Sequence, residues 1–307
     1  MEFSGMTISG GVSIVPPPPS NKAIFGYGVI SGASVVSMTN LVSNTGVVAT
    51  DTTGVGTARN SLAAAGYGTD KAIFGYGDTG SDTAITNKVS NTGVVATDTA
   101  GVGTARRYLT AAGYGTDKAI FGYGYAGSDR SMTNLVSNTG VVATDTTGVG
   151  TARNGLAAAG YGSDKAIFGY GYINGVGYSS ITNLVSNTGV VSTDTAGVGT
   201  GRQGLAAAGY GTDKAIFGYG DGNKSMTNLV SNTGVVATDT TGVGTGRYWL
   251  AATGYGVNTS IFGYGTTGPS PGVSMTNLVS NTGVVATDTT GVGSQRNQLA
   301  AASYGLS

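Results

Sequence analysis

Residues 118–164 read KAIFGYGYAGSDRSMTNLVSNTGVVATDTTGVGTARNGLAAAGYGSD, and near-copies of this stretch fill most of the chain. The six copies begin at Lys22, Lys71, Lys118, Lys165, Lys214 and Thr259. Successive starts are 49, 47, 47, 49 and 45 residues apart. A period of this length is typical of repeat architectures in which each copy forms one supersecondary unit.

The composition limits the possible classes of function. The 307 residues include 15 Lys and Arg, 15 Asp and Glu, 56 Gly, no Cys and no His. Zero net charge argues against a general nucleic-acid binder, which needs a basic surface. No basic amphipathic helix and no apolar run of ~18 residues is present, so we expect no membrane insertion. Without Cys or His, thiol, imidazole and structural zinc chemistry are impossible, and we expect no cofactor and no metal.

Four short strand-like runs fit in each copy. In the third copy they cover residues 118–124, 133–139, 141–146 and 156–162, each rich in β-formers or bounded by Gly-rich turns. Four strands per copy are typical of a β-propeller blade, and a parallel β-helix, whose coils are usually shorter, is the main alternative. The run at 156–162 has the smallest side chains, so we place it at the crowded central axis.

The order of the runs predicts how the fold closes. The repeats start with a 118–124-type run at 22–28 and end with a 156–162-type run at 299–305. Pairing these two would complete the last blade and remove exposed sheet edges. We therefore expect residues 22–307 to form an all-β, six-bladed β-propeller of four-stranded blades, closed by the C-terminal strand.

The repeats resemble those of kelch-like propellers. The shared features are a Gly-containing end of the 22–28-type run, closure by a C-terminal strand, and an Arg before each small-residue strand. The departures are Gly-Tyr-Gly in place of the usual Gly-Gly, and a missing Trp after the fourth strand. Kelch-like copper oxidases use Tyr, Cys and His ligands, so their chemistry does not carry over.

Residues 1–21 precede the repeats and end in a Pro-rich spacer, Pro16–Pro19. Four prolines favour a semi-rigid polyproline II segment. We interpret this region as an arm that docks onto a partner; a disordered tail and a targeting segment are the alternatives. The combination of near-identical repeats with a GGVSIVPPPP arm looks like virion structural proteins of bacteriophages. That resemblance implies other virion or surface proteins as partners of residues 1–20.

One Asp and one Arg, eight residues apart, recur in every copy. A ring of carboxylates could bind cations, but equivalent positions at constant spacing favour a structural role in which the Asp caps a turn or pairs with an Arg. Six equivalent carboxylates also lack the two different environments that catalysis requires. The residues are Asp51, Asp98, Asp145, Asp194, Asp239 and Asp288, with Arg59, Arg106, Arg153, Arg202, Arg247 and Arg296.

The copies differ at two places. One is the connection between the first and second runs, which is six to ten residues long, and the other is the residue pair after each recurring Arg. In an up-and-down blade both lie on one side, which we call the variable face; the opposite side is the constant face. Loops on a rigid scaffold commonly carry recognition, with neutral drift as the alternative. The candidate binding residues on this face are Arg107, Tyr108, Tyr125, Tyr172, Tyr178, Tyr248 and Trp249.

These features favour a non-enzymatic function. We expect a structural or adhesive component of a phage particle, located in the virion, whose arm attaches it and whose variable face recognises a host-surface glycan or protein. The alternative is a free lectin-like propeller that is secreted or attached to a cell surface. An enzyme such as a glycosidase is the third and least favoured hypothesis.

Overall fold

A computed structural model describes residues 21–31, 34–268 and 272–306. Within these ranges the protein is all-β and contains no α-helix, which confirms the predicted fold class. The arm predicted for residues 1–20 lies outside the described residues. The first described strand begins at Asn21, one residue before the predicted start of the repeats.

The strands form six three-stranded antiparallel sheets, which we number along the chain. From inner to outer strand they contain β22 (Ala300–Leu306), β1 (Asn21–Gly26) and β4 (Thr39–Val42) in sheet 1; β5 (Ala63–Tyr67), β6 (Lys71–Asp78) and β7 (Asp82–Val89) in sheet 2; β8 (Thr110–Tyr114), β9 (Lys118–Tyr125) and β10 (Asp129–Val136) in sheet 3; β11 (Ala157–Tyr161), β12 (Lys165–Gly169) and β15 (Thr182–Val185) in sheet 4; β16 (Ala206–Tyr210), β17 (Lys214–Gly220) and β18 (Lys224–Val230) in sheet 5; and β19 (Ala251–Tyr255), β20 (Thr259–Gly263) and β21 (Thr276–Val279) in sheet 6.

Two short ladders extend the connections between middle and outer strands. They are β2 (Val29–Ile30) with β3 (Ser34–Val35) in sheet 1, and β13 (Tyr172–Ile173) with β14 (Gly177–Tyr178) in sheet 4. In sheets 2, 3 and 5 the middle and outer strands are themselves longer and extend into this connection.

Sheet 1 is built from both ends of the chain. β22 pairs with β1 in antiparallel register, with Ala23 opposite Ser303 and Phe25 opposite Ala301. This is the pairing that the order of the runs predicts. The inner strands of successive sheets lie side by side, and β22 contacts both β5 and β19.

A ring of backbone hydrogen bonds links the six sheets just before their inner strands. Each amide donates to the carbonyl of the equivalent residue in the previous sheet, at 2.7–2.9 Å, and the last bond joins Ser61 N to Gln298 O. All six residues have φ between +52° and +61°. They are Ser61, Tyr108, Gly155, Gly204, Trp249 and Gln298.

The apolar core lies between neighbouring sheets. Each of the six buried clusters combines side chains from two adjacent sheets, and the cluster of sheets 6 and 1 completes the series. Between sheets 2 and 3, the rings of Tyr76 and Phe121 pack at 5.1 Å. A Cβ atom at Gly75 would lie 2.7 Å from Phe121, so the glycine is needed for this close approach.

The fourth strand predicted for each blade does not form as a regular strand. In sheet 3, residues 141–146 join β10 only through bridges at Val136–Val142 and Thr133–Thr146. The buried side chain of Asn134 intervenes between them, because its Nδ2 donates 3.0 Å to Ala143 O. The same two-bridge arrangement recurs in the other sheets.

Candidate functional site

The recurring Arg and Asp belong to a network that ties each sheet to the preceding one. In sheet 3, Arg106 donates from Nη2 to Asn134 Oδ1 at 2.7 Å and from Nε to Tyr123 O at 2.8 Å. Asn134 donates to Asp145 Oδ1 at 2.8 Å. The fully buried guanidinium of Arg106 also lies over the ring of Tyr76 in sheet 2, 4.4 Å from its centroid. The network therefore holds three segments of one sheet and an aromatic ring of its neighbour.

The network joins an Asp and an Arg from different copies of the repeat. Each Asp is grouped with the Arg of its own sheet and not with the Arg eight residues later. In sheets 2–6 this Arg lies about one repeat earlier in the chain, whereas in sheet 1 it is Arg296, in the last repeat. Asp98, for example, accepts hydrogen bonds from Thr57 N and Oγ1, two residues before Arg59. The reason is that the segment after each Asp crosses into the next sheet. The six groups are Arg296–Asn40–Asp51, Arg59–Asn87–Asp98, Arg106–Asn134–Asp145, Arg153–Asn183–Asp194, Arg202–Asn228–Asp239 and Arg247–Asn277–Asp288.

The network is charged at neutral pH, and its carboxylates accept several hydrogen bonds each. Burial alone would raise the pKa of Asp145, but hydrogen bonds from Thr104 and Asn134 outweigh it and lower that pKa. Burial lowers the pKa of Arg106, yet a guanidinium remains protonated at pH 7. The described residues contain no cluster of three or more His, Cys, Asp or Glu that could hold a metal ion. Sequence reasoning missed the Asn, although Thr-Asn recurs in every copy.

Two of the candidate binding residues, both members of the ring of backbone hydrogen bonds, pack on each other. Tyr108 of sheet 3 and Trp249 of sheet 6 stack with centroids 5.0 Å apart and planes at 34°. A Cβ atom at Gly204 would lie 3.2 Å from Trp249 Cδ2, and one at Gly155 3.3 Å from Cη2. The two glycines thus leave room for the indole. The two rings border a pocket of about 100 Å³ that is otherwise lined mainly by Ala of the inner strands and by the Leu before each of them.

Arg107 is engaged by the neighbouring sheet. Its Nη1 lies 3.1 Å from Asp78 Oδ2 and 3.0 Å from Asp82 Oδ1, both at the tip of the sheet 2 hairpin. Its guanidinium also lies 5.3 Å from the centroid of the Tyr125 ring. Arg107 therefore joins sheet 3 to sheet 2, and its contact with Tyr125 lies within sheet 3, so neither residue is a free anchor.

The hairpin of sheet 4 carries two exposed apolar side chains on the variable face. Tyr178 is 54% exposed and Val176 is 79% exposed. The rings of Tyr172 and Tyr178 meet edge to face at 5.8 Å. Tyr178 Oη donates 2.6 Å to Asp221 Oδ2 of sheet 5, and this hydrogen bond is the main reason that its pKa rises to about 12. The remaining candidate, Tyr248, is half-buried and bridges to Thr266.

The constant face carries the other ends of the strands. Asn21 lies on this face, and its backbone N donates a hydrogen bond of 3.0 Å to Gly256 O. Four turns on this face hold an ion pair of adjacent residues at 2.5–3.1 Å; these are Asp70–Lys71, Asp117–Lys118, Asp164–Lys165 and Asp213–Lys214. The described chain therefore begins on the side opposite the variable hairpins.

No protein-family model matches the sequence, and no curated protein is significantly similar to it. The residues that the structure describes include no helix long and apolar enough to cross a membrane.

Proposed function

We propose that the six sheets are the blades of a kelch-like, six-bladed β-propeller closed by β22 and β1. Three observations support this architecture. The inner strands follow one another from sheet 1 to sheet 6 and back. The ring of hydrogen bonds through Ser61 and Gln298 links all six sheets. The apolar clusters also join each sheet to the next, including sheet 6 to sheet 1.

On this scaffold we assign a non-enzymatic function: the protein is a structural or adhesive component of a bacteriophage particle. Residues 1–20 bind other virion or surface proteins, and the variable face points outward toward a host-surface glycan or protein. The observation that carries this assignment is the position of Asn21 on the constant face, opposite the variable hairpins. A partner bound to the preceding residues would leave the hairpins accessible.

The recurring charged groups support a structural rather than a catalytic assignment. Each Asp of the recurring network accepts hydrogen bonds from a Thr or Ser and an Asn, and each Arg is buried. Groups used in this way are not free to exchange protons with a substrate. The resemblance of the arm and repeats to phage virion proteins supports a virion location.

A free lectin-like propeller, secreted or held at a cell surface, is the second candidate. The exposed ring of Tyr178 beside the carboxylate of Asp221 favours it. In that case the same face would bind sugars, and residues 1–20 would have no assembly partner.

Deletion of residues 1–20 separates these functions. We expect the truncated protein to keep its fold and to be absent from particles that incorporate the full-length chain. The control is Val176→Ser, which changes the variable face and should leave incorporation intact. Incorporation of the truncated protein at the full-length level would overturn the anchoring role.

A further inference from the structure

The ring of Tyr178 is exposed and yet fixed in place. More than half of the residue is accessible, at 54%. Its hydroxyl is held by Asp221 at 2.6 Å, and the edge-to-face contact with Tyr172 supports the ring from the side. A ring that is ordered before a ligand arrives binds with little further loss of conformational entropy.

The carboxylate beside this ring is anchored as well. Asp221 Oδ2 accepts from Tyr178 Oη and from Gln203 Nε2, the latter at 3.2 Å, and Oδ1 accepts from Gly222 N at 2.9 Å. A carboxylate has about four acceptor positions. One position on Oδ1 is therefore left for a further donor next to the exposed ring.

A second carboxylate holds the same hairpin from the other side. Asp129 of sheet 3 accepts from Asn174 N at 2.7 Å and from Asn154 Nδ2 at 2.7 Å. The projecting hairpin β13–β14 is thus tied to sheet 3 through Asp129 and to sheet 5 through Asp221. Its exposed tip has a defined position although it extends from the sheet.

We infer that the ring of Tyr178 and the carboxylate of Asp221 form a carbohydrate subsite that holds one neutral pyranose unit of a glycan. The apolar C–H face of a pyranose matches the flat ring, and its hydroxyls can donate to Asp221 Oδ1. The carboxylate repels acidic sugars, which favours a neutral unit. This inference deepens the proposed function and rests on the outward display of the variable face.

The size of the exposed apolar surface favours a sugar over a protein. Within the described part of the variable face, Val176 and Tyr178 are the large apolar side chains that are more than half exposed. A stable protein interface buries roughly 800 Å² on each partner around an apolar core. Two side chains are too few for such a core, whereas one ring and one carboxylate suffice for a single sugar unit.

The test is saturation-transfer NMR on the full-length protein with a panel of methyl pyranosides of glucose, galactose, mannose and N-acetylglucosamine, and with N-acetylneuraminic acid. We expect binding of at least one neutral pyranoside and none of the acid. Tyr178→Ala should weaken that binding at least 10-fold, and Asp221→Asn should weaken it less. Tyr178→Phe keeps the ring but loses the hydroxyl that fixes it, and should weaken binding less than Tyr178→Ala does. Val257→Ser, an exposed site on the constant face, is the matched control and should bind as the wild type does.

Two results would overturn the subsite: no neutral pyranoside binds at millimolar concentration, or Tyr178→Ala binds as tightly as wild type while its thermal unfolding midpoint is unchanged. The outcome is independent of the arm. If the chain without residues 1–20 fails to join particles and no pyranoside binds, the structural function stands and the subsite falls.

Discussion

The guanidinium carbon of Arg153 lies 4.4 Å from the centroid of the Tyr123 ring, although the two residues belong to neighbouring sheets. Both side chains are fully buried. A desolvated cation over an aromatic face contributes about 2 kcal/mol. Arg153 also donates from Nε to Tyr170 O at 2.8 Å and from Nη2 to Asn183 Oδ1 at 2.8 Å. Arg153 thus joins two segments of sheet 4 to each other and to sheet 3.

Arg153→Lys should therefore be strongly destabilising although it keeps the charge. An ammonium cannot reproduce the planar fork, so at least one buried acceptor loses its donor. We expect the free energy of unfolding to fall by about 3 kcal/mol, measured by denaturant titration. Arg107→Lys is the control, because its partly exposed pair on the variable face should cost less than about 1 kcal/mol. Equal losses in the two variants would contradict the assigned role.

Acid should destabilise the protein through the six network carboxylates. Hydrogen bonds outweigh burial and hold the folded-state pKa of Asp145 below its ordinary value of 3.8. A lowered folded-state pKa contributes stability above the unfolded-state value, and that contribution is lost as the pH falls through the folded-state value. We expect the midpoint urea concentration of unfolding to decrease as the pH is lowered below about 4. Asp145→Asn should lower stability at pH 7 and make the acid dependence shallower; an unchanged dependence would count against the network.

The stack of Tyr108 on Trp249 can be followed by fluorescence, because the chain has 1 Trp. Tyr108→Ser should uncover one side of the indole, raise its quenching by acrylamide and shift its emission to longer wavelength. Tyr172→Ser is the control, because the ring of Tyr172 packs against Tyr178 and its loss should leave the indole covered. Unchanged quenching in Tyr108→Ser would show that the two rings do not pack on each other in solution.

The features that could be predicted from the sequence follow from the residue types within one copy and from the order of the copies along the chain. Small residues such as Ala158 and Gly160 identify the inner strand, because neighbouring sheets leave little space there. The continuous apolar run of Ile120 and Phe121 identifies a middle strand buried on both faces. The order of the runs also predicted that the last strand pairs with the first.

The features that could not be predicted depend on particular side-chain contacts, some within one copy and some between copies. The partner of Asp98 is set by a turn 41 residues earlier, Thr57, which no spacing within one copy reveals. The missing fourth strand reflects the side chain of Asn134, which takes a carbonyl that a regular ladder would use. The variable residues of different sheets are matched in size, as the small Gly204 is to the large Trp249. This correspondence becomes visible only when the sheets are placed side by side.

The closed ring is the central claim, and a cross-link between the two ends of the chain tests it most directly. Ala23 and Ser303 are opposite each other in the β1–β22 ladder, and antiparallel partners lie within disulfide range. The chain has 0 Cys, so the double variant Ala23→Cys/Ser303→Cys contains a single pair of thiols. We predict a monomeric, intramolecular disulfide on mild oxidation and an increase in thermal stability that reduction reverses. Single variants should give only slow intermolecular dimers. Free thiols or dimers in the oxidised double variant would show that the terminal strands do not pair and would contradict the closed ring.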